Sequence, residues 1–300
     1  MSASTRTPLP ARPSDAQRYP ATRHLRMRSV LASTFKYGSL VLATVVVLLP
    51  LVAVFTTSFK TREEYLTTGP LEPPSNWLNF ENYVIAFDQG NMLLGFLNTS
   101  LVLVISLAGT VLIGSMTAYA IDRFDFKLKK VVIGLFLIAT LVPGVTTQVA
   151  TFQIVVGLNL YDTYAAPIAL FLGTDIISIY IFVQFMQSIP KDVDEAAMLD
   201  GANRFTIYWR VILPLLKPAI ATVVIIKGIA IYNEFYIPFL YLPSNELSMI
   251  STALFRFTGP FGSRWEVISA GTLIVILPTL IVFVFLQRFI YSGLTQGATK

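Results

Sequence analysis

The sequence has no cysteine, a single histidine and few charged residues. Asp, Glu, Lys and Arg together make up 13% of its 300 residues. The lack of cysteine excludes disulfides and thiolate chemistry, and His24 alone cannot form the His and Cys cluster that binds a metal ion. Neither Gly-Lys-Ser nor Gly-Lys-Thr occurs, so the chain lacks a phosphate-binding loop of the Walker type. We therefore expect no cofactor on this chain.

Apolar residues dominate instead. Hydrophobic residues make up 54% of the chain and the mean hydropathy is +0.67, as in membrane proteins. The apolar runs reach the ~20 residues that a helix needs to cross ~30 Å of hydrocarbon, and they are continuous rather than alternating, which favours helices over a β-barrel. The predicted fold is all-α, with six membrane spans at residues 37–58, 97–121, 131–150, 164–186, 213–235 and 267–289.

The distribution of Lys and Arg predicts the orientation of these spans. If the spans alternate across the membrane, 17 of the 22 basic residues lie on one side and four on the other, with Lys227 inside a span. Basic residues accumulate on the cytoplasmic side, so both termini are predicted to be cytoplasmic. The segments 61–96 and 241–266 are then outer segments, and residues 292–300 form a short cytoplasmic tail.

The first 36 residues have a composition of their own. Residues 1–36 carry six Arg and Lys36 against one acid, Asp15, and they contain four Pro. Such a segment cannot build a packed core, so we expect a disordered basic cytoplasmic tail. The apolar run that follows is longer than the core of a signal peptide and has no Ala-x-Ala site, which favours an uncleaved first span.

The segment 188–218 is polar, although predicted spans flank it on both sides. Its acidic residues, among them Glu195, complement the positive end of a helix. Val193, Ala196 and Ala197 are spaced to share one face of that helix, and the small alanines would let a partner approach closely. The sequence predicts a short helix with a small apolar face that can bind a partner.

A corner is predicted directly after this helix. Gly201 can adopt a positive φ and end the helix, and Asp200 can cap a second helix over residues 202–212. Pro214 and Pro218 then mark the bend back into the membrane. The alternative for this segment is an ordinary amphipathic hairpin that lies on the membrane surface.

Residues 195–218 resemble the cytoplasmic coupling loop of permeases from importers of the ATP-binding cassette (ABC) class. The pattern is Glu-Ala-Ala, three residues, Gly, nine residues, an aliphatic residue, one residue, then Leu-Pro. The resemblance extends from about residue 37 to 291, in particular to the second permease of carbohydrate importers of the maltose type. Further motifs that look like that family are Ser58-Phe59-Lys60, Glu81-Asn82-Tyr83, Asn98-Thr99, Ala118-Tyr119-Ala120, Arg123-Phe124, Val142-Pro143, Asp162-Thr163-Tyr164 and Asn233-Glu234-Phe235.

This resemblance implies a type I ABC importer permease fold and a complex in the inner membrane of a prokaryote. The partners would be a second permease, two ATPase subunits that hold ATP and Mg, and an extracytoplasmic binding protein that delivers a di- or oligosaccharide or related sugar. The chain itself would be no enzyme and would bind no nucleic acid. A non-sugar solute remains an alternative cargo. The residues implied to dock the ATPase are Glu195, Ala196, Ala197, Asp200 and Gly201.

The outer segment 241–266 resembles a loop that reaches into the binding protein in the maltose-type permease. An amphipathic cap that re-enters over the spans is the alternative, because loop length and turn residues do not identify a partner. The residues assigned to a binding-protein contact are Phe257, Gly259, Pro260, Phe261 and Gly262.

Polar and ionisable residues within the predicted spans form a second candidate site. Asp175, Lys227 and Glu234 lie where a charge is costly and usually faces protein or water, and with Asn233 they could line a sugar path. The structural alternative is an Asp175–Lys227 ion pair and a Glu234 near the interface. A proton relay through these residues would make the chain an ion-coupled secondary transporter. The polar segment 188–218 argues against that, because a self-sufficient carrier does not need it.

Overall fold

The computed structural model describes residues 22–144, 146–173, 175–259 and 262–296, with side chains between residues 33 and 285, and these residues contain helices and no β-strand. The chain divides into two compact units, Met1–Ala53 and Val54–Lys300. The α-helices are α1 Thr22–Ser58, α2 Arg62–Thr67, α3 Glu81–Gln89, α4 Met92–Arg123, α5 Lys129–Leu141, α6 Gln148–Gly157, α7 Ala165–Gly173, α8 Ile176–Gln187, α9 Asp192–Leu199, α10 Arg204–Ile207, α11 Leu213–Leu215, α12 Lys217–Asn233, α13 Tyr236–Tyr241, α14 Ile250–Ala253 and α15 Trp265–Gln296. A π-helical turn, Tyr208–Ile212, joins α10 to α11, and two 3-10 turns, Asn245–Leu247 and Leu254–Phe257, flank α14.

Three of the six predicted spans are single helices that are long and apolar enough to cross a membrane. They are Ser33–Ser58, Met92–Arg123 and Trp265–Phe285. The predicted span 164–186 is a bent pair of helices, α7 and α8, which meet at 47°. The predicted span 213–235 corresponds mainly to α12, which meets the preceding stretch Arg204–Leu215 at 71°. By length and composition, the described residues therefore provide three to five helical crossings.

The predicted span 131–150 is not one helix. It consists of α5 and α6, which residues 142–147 separate. Pro143 explains the break, because proline has no N–H to donate and disfavours the helical conformation in the residue before it. Val142 is accordingly extended, with φ −81° and ψ 114°. The prediction of a continuous third span is therefore wrong, although both of its halves are apolar.

The predicted disordered tail over residues 1–36 overlaps α1 in its C-terminal part. Helix α1 begins at Thr22, and residues 1–21 lie outside the described part of the chain. All four prolines of the tail precede this start, whereas the residues after it include Leu, Met, Ala and Arg, which favour helices. At the other end, α15 extends to Gln296, so the predicted tail 292–300 is helical as far as it is described.

Helix α4 is central to the unit Val54–Lys300. It packs against α7, α8, α12 and α14. Small residues on its buried face let these helices approach closely. A Cβ atom on Gly114 would lie 3.1 Å from the ring of Phe182, and one on Gly109 would lie 2.5 Å from Leu172. A side chain at Gly109 would therefore require Leu172 to move, and one at Gly114 would crowd the ring of Phe182.

The N-terminal end of α4 holds the outer segment 241–266. The buried Asn98 amide donates to the carbonyls of Glu246 and Ser248, at 2.9 and 3.0 Å. Its side-chain oxygen accepts from the Tyr164 hydroxyl at 2.7 Å. These bonds join α4, the residue before α7 and the outer segment. They give a physical reason for the Asn and the Tyr of two motifs noted in the sequence.

Replacing Asn98 by Leu should destabilise the protein, because two carbonyls and the Tyr164 hydroxyl lose their partner at once. Each buried group left unsatisfied costs about 1–3 kcal/mol. The measurement is the thermal unfolding temperature of the purified protein in detergent. Leu97→Ala is the control, since Leu97 is adjacent but 60% exposed, and its truncation should change the temperature little. An unchanged unfolding temperature for Asn98→Leu would contradict this role.

Candidate functional site

The polar segment 188–218 folds into a short helix, a tight corner and a second helical stretch. Helix α9 has three acids in its first turn and no side-chain cap, so the acids alone complement its positive end. At its C-terminal end Gly201 has φ +83°, the left-handed conformation predicted for it. The Ala202 amide then donates to the Ala197 carbonyl at 3.0 Å, which closes the corner as in a Schellman motif.

Asn203, not Asp200, caps the second helix. The Asn203 side-chain oxygen accepts from the Thr206 backbone N–H at 2.9 Å, and α10 begins at Arg204. The prediction for Asp200 is wrong because this residue still belongs to α9 as its C-cap, and the chain leaves the helical conformation only at Gly201. Asn203 has the extended backbone, with ψ 164°, that an N-cap residue needs.

A buried ion pair connects α9 to the C-terminal end of α4. Arg123 Nε lies 2.9 Å from Asp194 Oδ2, and their side chains are 3% and 4% exposed. The same guanidinium donates to the Ile189 carbonyl at 2.9 Å and contacts Asp122 at 2.7 Å. A guanidinium with several charge-assisted bonds is fixed in orientation as well as in position. From the sequence alone, Asp194 is one of several acids at the start of a helix, and the Arg123-Phe124 motif is the signal that could indicate its partner.

Aromatic side chains support the same contact. Tyr208 is buried, its hydroxyl lies 2.8 Å from Ser115 Oγ in α4, and its ring is 5.6 Å from the ring of Tyr119. The Tyr119 hydroxyl in turn lies 3.4 Å from Asp194 Oδ1. These tyrosines belong to a buried cluster with residues from α4, α8, α10 and α12. The ion pair, the Tyr119 hydroxyl and this buried cluster thus connect α9 with the end of α4.

Most of the residues predicted to dock an ATPase lie on the outer surface of this region. Glu195, Ala196, Asp200 and Gly201 are exposed. Ala197 is half-buried and packs against the buried cluster. The small apolar face of α9 is therefore turned partly inward, at Val193 and Ala197, and partly outward, at Ala196, and its binding to a partner stays a prediction.

Large apolar side chains that were not predicted from the sequence are also exposed on this surface. Leu199 is 90% exposed and Phe205 is 65% exposed. Trp209 packs edge-on against Phe205, with ring centroids 6.0 Å apart. These side chains flank the Gly201 corner, and exposed apolar groups beside polar ones are typical of protein contacts. No helical periodicity reveals them, because the corner separates Leu199 from the other two.

The ion pair considered for the predicted spans is present. Lys227 Nζ in α12 lies 3.5 Å from Asp175 Oδ1, and both side chains are largely buried. Asp175 occupies the break between α7 and α8, where the chain bends by 47°. The pair therefore joins this break to α12.

Glu234 and Asn233 have partners of their own. Glu234 Oε1 accepts from the backbone N–H groups of Tyr236 and Ile237, at 2.9 and 3.2 Å, and thereby stabilises the start of α13. Asn233 is exposed, and its amide donates to the Ile229 carbonyl at 2.9 Å. The two carboxylates considered for a proton relay thus have different partners: a lysine for Asp175 and backbone amides for Glu234.

The tip of the outer segment is partly buried. Phe257, predicted to contact a binding protein, is 8% exposed and packs in a buried cluster with residues of α3, α4 and α15. For this side chain the packing fits the alternative of a cap over the helices, and its contact with a binding protein stays a prediction. Gly259 and Gly262 are exposed, and Gly262 has φ +108°. Pro260 and Phe261 lie outside the described residues.

Replacing both residues of the Arg123–Asp194 pair should destabilise the protein less than the sum of the two single replacements. Arg123→Met leaves the buried Asp194 carboxylate without its counter-ion, which costs about 3–5 kcal/mol, and Asp194→Leu leaves Arg123 with Asp122 as its acidic partner; the double variant should cost clearly less than the sum. Thermal unfolding of the four proteins in detergent gives this coupling. The control is the same cycle at Lys129 and Asp125, a pair at 3.4 Å whose Asp is 96% exposed, where little coupling is expected. Additive effects at Arg123 and Asp194 would contradict the pairing.

Known proteins resemble this chain over most of its length. The family model described as "Binding-protein-dependent transport system inner membrane component" matches residues 110–296. The arabinooligosaccharides transport system permease protein AraQ of Bacillus subtilis (strain 168) is 30% identical over 255 residues, which cover 84% of this chain and 90% of AraQ. The melibiose/raffinose/stachyose import permease protein MelC of the same organism is 29% identical over 261 residues, which cover 84% of this chain and 91% of MelC.

A solved structure shares the fold. A chain of a bacterial ABC transporter involved in the import of the acidic polysaccharide alginate matches with a TM-score of 0.75 at 20% identity, covering 89% of this chain and 98% of that chain. The range matched by the family model includes both Arg123 and the whole of α9. The chain therefore belongs to the family of inner membrane components of binding-protein-dependent transport systems.

Proposed function

We propose that this chain is a permease subunit of an ATP-driven importer whose cargo is an oligosaccharide or a related sugar. Family membership supports the transport role, and the sequence contains no phosphate-binding loop of its own. The observation that carries the proposal is the exposed corner at Gly201, presented on a piece that the Arg123–Asp194 pair fixes to α4. Such a surface suits a separate ATPase, which would supply the work of transport.

The names of the relatives support a carbohydrate cargo. AraQ is a permease of a transport system for arabinooligosaccharides, and MelC is an import permease for melibiose, raffinose and stachyose. The structural neighbour belongs to a transporter for a polysaccharide. These cargoes have in common a chain of linked sugar rings, so a di- or oligosaccharide is the cargo class that we assign.

Motion would pass from the ATPase to the spans through α9. Because Asp194 and Tyr208 tie the segment to α4, a displacement of α9 should move the end of α4 with it. Since α4 packs against α7, α8, α12 and α14, several candidate spans would follow. Rigid-body alternation of this kind, biased by a nucleotide, can open a path first to one side of a membrane and then to the other.

The contacts at the two ends of α4 support the proposed orientation. Arg123 contacts the segment 188–218 at one end, and Asn98 contacts the outer segment 241–266 at the other. Each contact requires its two members to be on the same side of the membrane, as the distribution of basic residues predicts. With α5 and α6 as one broken span, the topology has six crossings and two cytoplasmic termini. At the prokaryotic inner membrane, the proposed complex then contains a second permease, two ATPases and an extracytoplasmic binding protein.

The residues assigned to the sugar path divide into two kinds. Asn233 is exposed at the end of α12, where an amide suits contact with sugar hydroxyls. Asp175 and Lys227 pair with each other, and Glu234 binds the amides of α13, which favours structural roles for these three over a proton relay. Uptake by the purified chain in vesicles without nucleotide would instead establish the ion-coupled carrier.

Glu195→Arg should strongly reduce the sugar-stimulated ATP hydrolysis of the reconstituted complex, because it reverses a charge on the docking surface and disturbs no buried group. We expect a fall of at least about tenfold, equivalent to ~1.4 kcal/mol. Glu72→Arg is the matched control: Glu72 is exposed in the outer segment 61–96, and the same charge change there should leave hydrolysis intact. Full stimulation of Glu195→Arg would count against this docking site.

The backbone of the corner can be tested at Gly201. No atom lies within 4 Å of a Cβ placed there, so a substitution strains the backbone without a clash. At φ +83° a β-branched residue is strongly disfavoured, whereas Asn tolerates the left-handed region. Gly201→Val should therefore lose sugar-stimulated hydrolysis or assembly with the ATPase, and Gly201→Asn should retain most of both. Equal behaviour of the two variants would show that the corner conformation is not needed.

A further inference from the structure

The break between α5 and α6 is exposed rather than packed. Helix α5 ends at Leu141 and α6 begins at Gln148. The described residues between them, 142–144 and 146–147, are all exposed, and α5 contains no buried residue. The helices of the unit Val54–Lys300 therefore leave this break open on the surface of the chain.

The break lies at membrane depth if α5 and α6 form one broken span. Helix α5, Lys129–Leu141, rises about 20 Å at 1.5 Å per residue, and α6 continues beyond the break. A break at that height falls within the ~30 Å of hydrocarbon. Irregular backbone occurs at this depth only where protein buries it or where it lines a water-filled cavity, because lipid cannot satisfy its N–H and C=O groups. Lipid is therefore not the neighbour of this break.

Polar side chains at the break distinguish between protein and a cavity. Thr146 and Thr147 are exposed, and their hydroxyls donate to the carbonyls of Pro143 and Gly144, at 2.7 and 3.0 Å. These bonds use the hydroxyl hydrogens, so both oxygens can still accept a hydrogen bond from outside. The Thr147 side chain accepts none from the backbone of α6. A dry apolar contact with another protein would leave these oxygens unpaired at a cost, whereas water or a ligand rich in hydroxyls would pair with them.

A second chain break lies next to the first. The Gln148 amide, at the start of α6, donates to the Tyr241 hydroxyl at 3.2 Å, and α6 and α13 share a buried cluster. Helix α13 ends at Tyr241 and follows the break at Glu234, which has extended backbone with φ −70° and ψ 118°. Asn233 is exposed directly before this second break. Discontinuous helices that meet within the membrane commonly form the binding site of a transporter.

We propose that Thr146 and Thr147, together with Asn233, bind hydroxyl groups of the sugar as it crosses the membrane. The threonine oxygens accept from sugar O–H groups. The Asn233 amide donates one hydrogen to the Ile229 carbonyl, so its oxygen and its second N–H remain for the cargo. The inference rests on the proposed function for the class of cargo and for the pairing of α5 and α6 into one span. It does not depend on α9 or its ATPase surface.

The absence of cysteine allows a direct test of water at the break. Thr147→Cys is compared with Leu137→Cys, which lies on α5 and replaces a side chain that is 61% exposed. Each complex is assembled in nanodiscs and treated with a charged, membrane-impermeant thiosulfonate, and the mass of this chain reports the modification. Thr147→Cys should be modified while Leu137→Cys is spared, because only the thiolate reacts and lipid does not support it. Equally slow modification of both would overturn the proposal, since the break would then be dry.

Protection by sugar decides what the water-filled site binds. The probe is raffinose or arabinotriose, whichever stimulates ATP hydrolysis by the wild-type complex, and it should slow the modification of Thr147→Cys. Unchanged modification in saturating probe would refute the sugar site while leaving the proposed function intact. Stimulation by neither sugar would instead count against the proposed cargo, and modification without sugar would still decide whether the break lines water.

Loss of one hydroxyl gives an independent measurement. Thr147→Val should raise the probe concentration that half-saturates ATP hydrolysis by roughly two- to tenfold, without changing the maximal rate, as expected for one lost hydrogen bond. Thr147→Ser keeps the hydroxyl and should behave as the wild type. Thr44→Val is the matched control, because Thr44 is exposed in α1 and its hydroxyl donates to the Leu40 carbonyl at 2.8 Å. The same half-saturating concentration for Thr147→Val and wild type would argue against a contact with the cargo.

Discussion

The position of α9 depends on the buried ion pair between Arg123 and Asp194. Helix α9 spans only Asp192–Leu199, and a helix of this length is unstable by itself in water. The pair and the bond from Arg123 to the Ile189 carbonyl fix its start against α4. Because desolvation offsets much of the attraction between buried charges, the main effect of this pair is to define position and orientation. A surface proposed to transmit force to another subunit needs a defined position and orientation.

Helix α4 connects α9 with other parts of the unit Val54–Lys300. Its C-terminal end holds α9, and its N-terminal end holds the outer segment 241–266 through Asn98. Between them, glycines and other small residues permit close packing with α7 and α8. One helix thus contacts the segment proposed to meet an ATPase and the segment proposed to lie on the opposite side of the membrane. This arrangement gives a direct physical route for coupling the two sides.

The sequence predicts the class of protein, the Gly201 corner and the Asp175–Lys227 pair, because these follow from residue type, apolar length and helical spacing. The predicted span 131–150 shows a limit of this inference, because the length of an apolar run does not reveal the break that Pro143 causes. The Arg123–Asp194 pair joins residues far apart in the sequence, and their contact arises only when α4 packs beside α9. The exposure of Leu199 and Phe205 likewise depends on which side of the corner meets the core.

The distance between α9 and the end of α4 during the transport cycle tests the central claim most directly. Spin labels on Asp192→Cys in α9 and Ala120→Cys near the end of α4, both exposed positions in a chain without other cysteines, report this distance by electron–electron resonance in the assembled complex. We predict one narrow distance distribution, unchanged between the nucleotide-free and ATP-bound states, while distances to the second permease shift. A distribution between these two labels that broadens or moves on ATP binding would contradict the account.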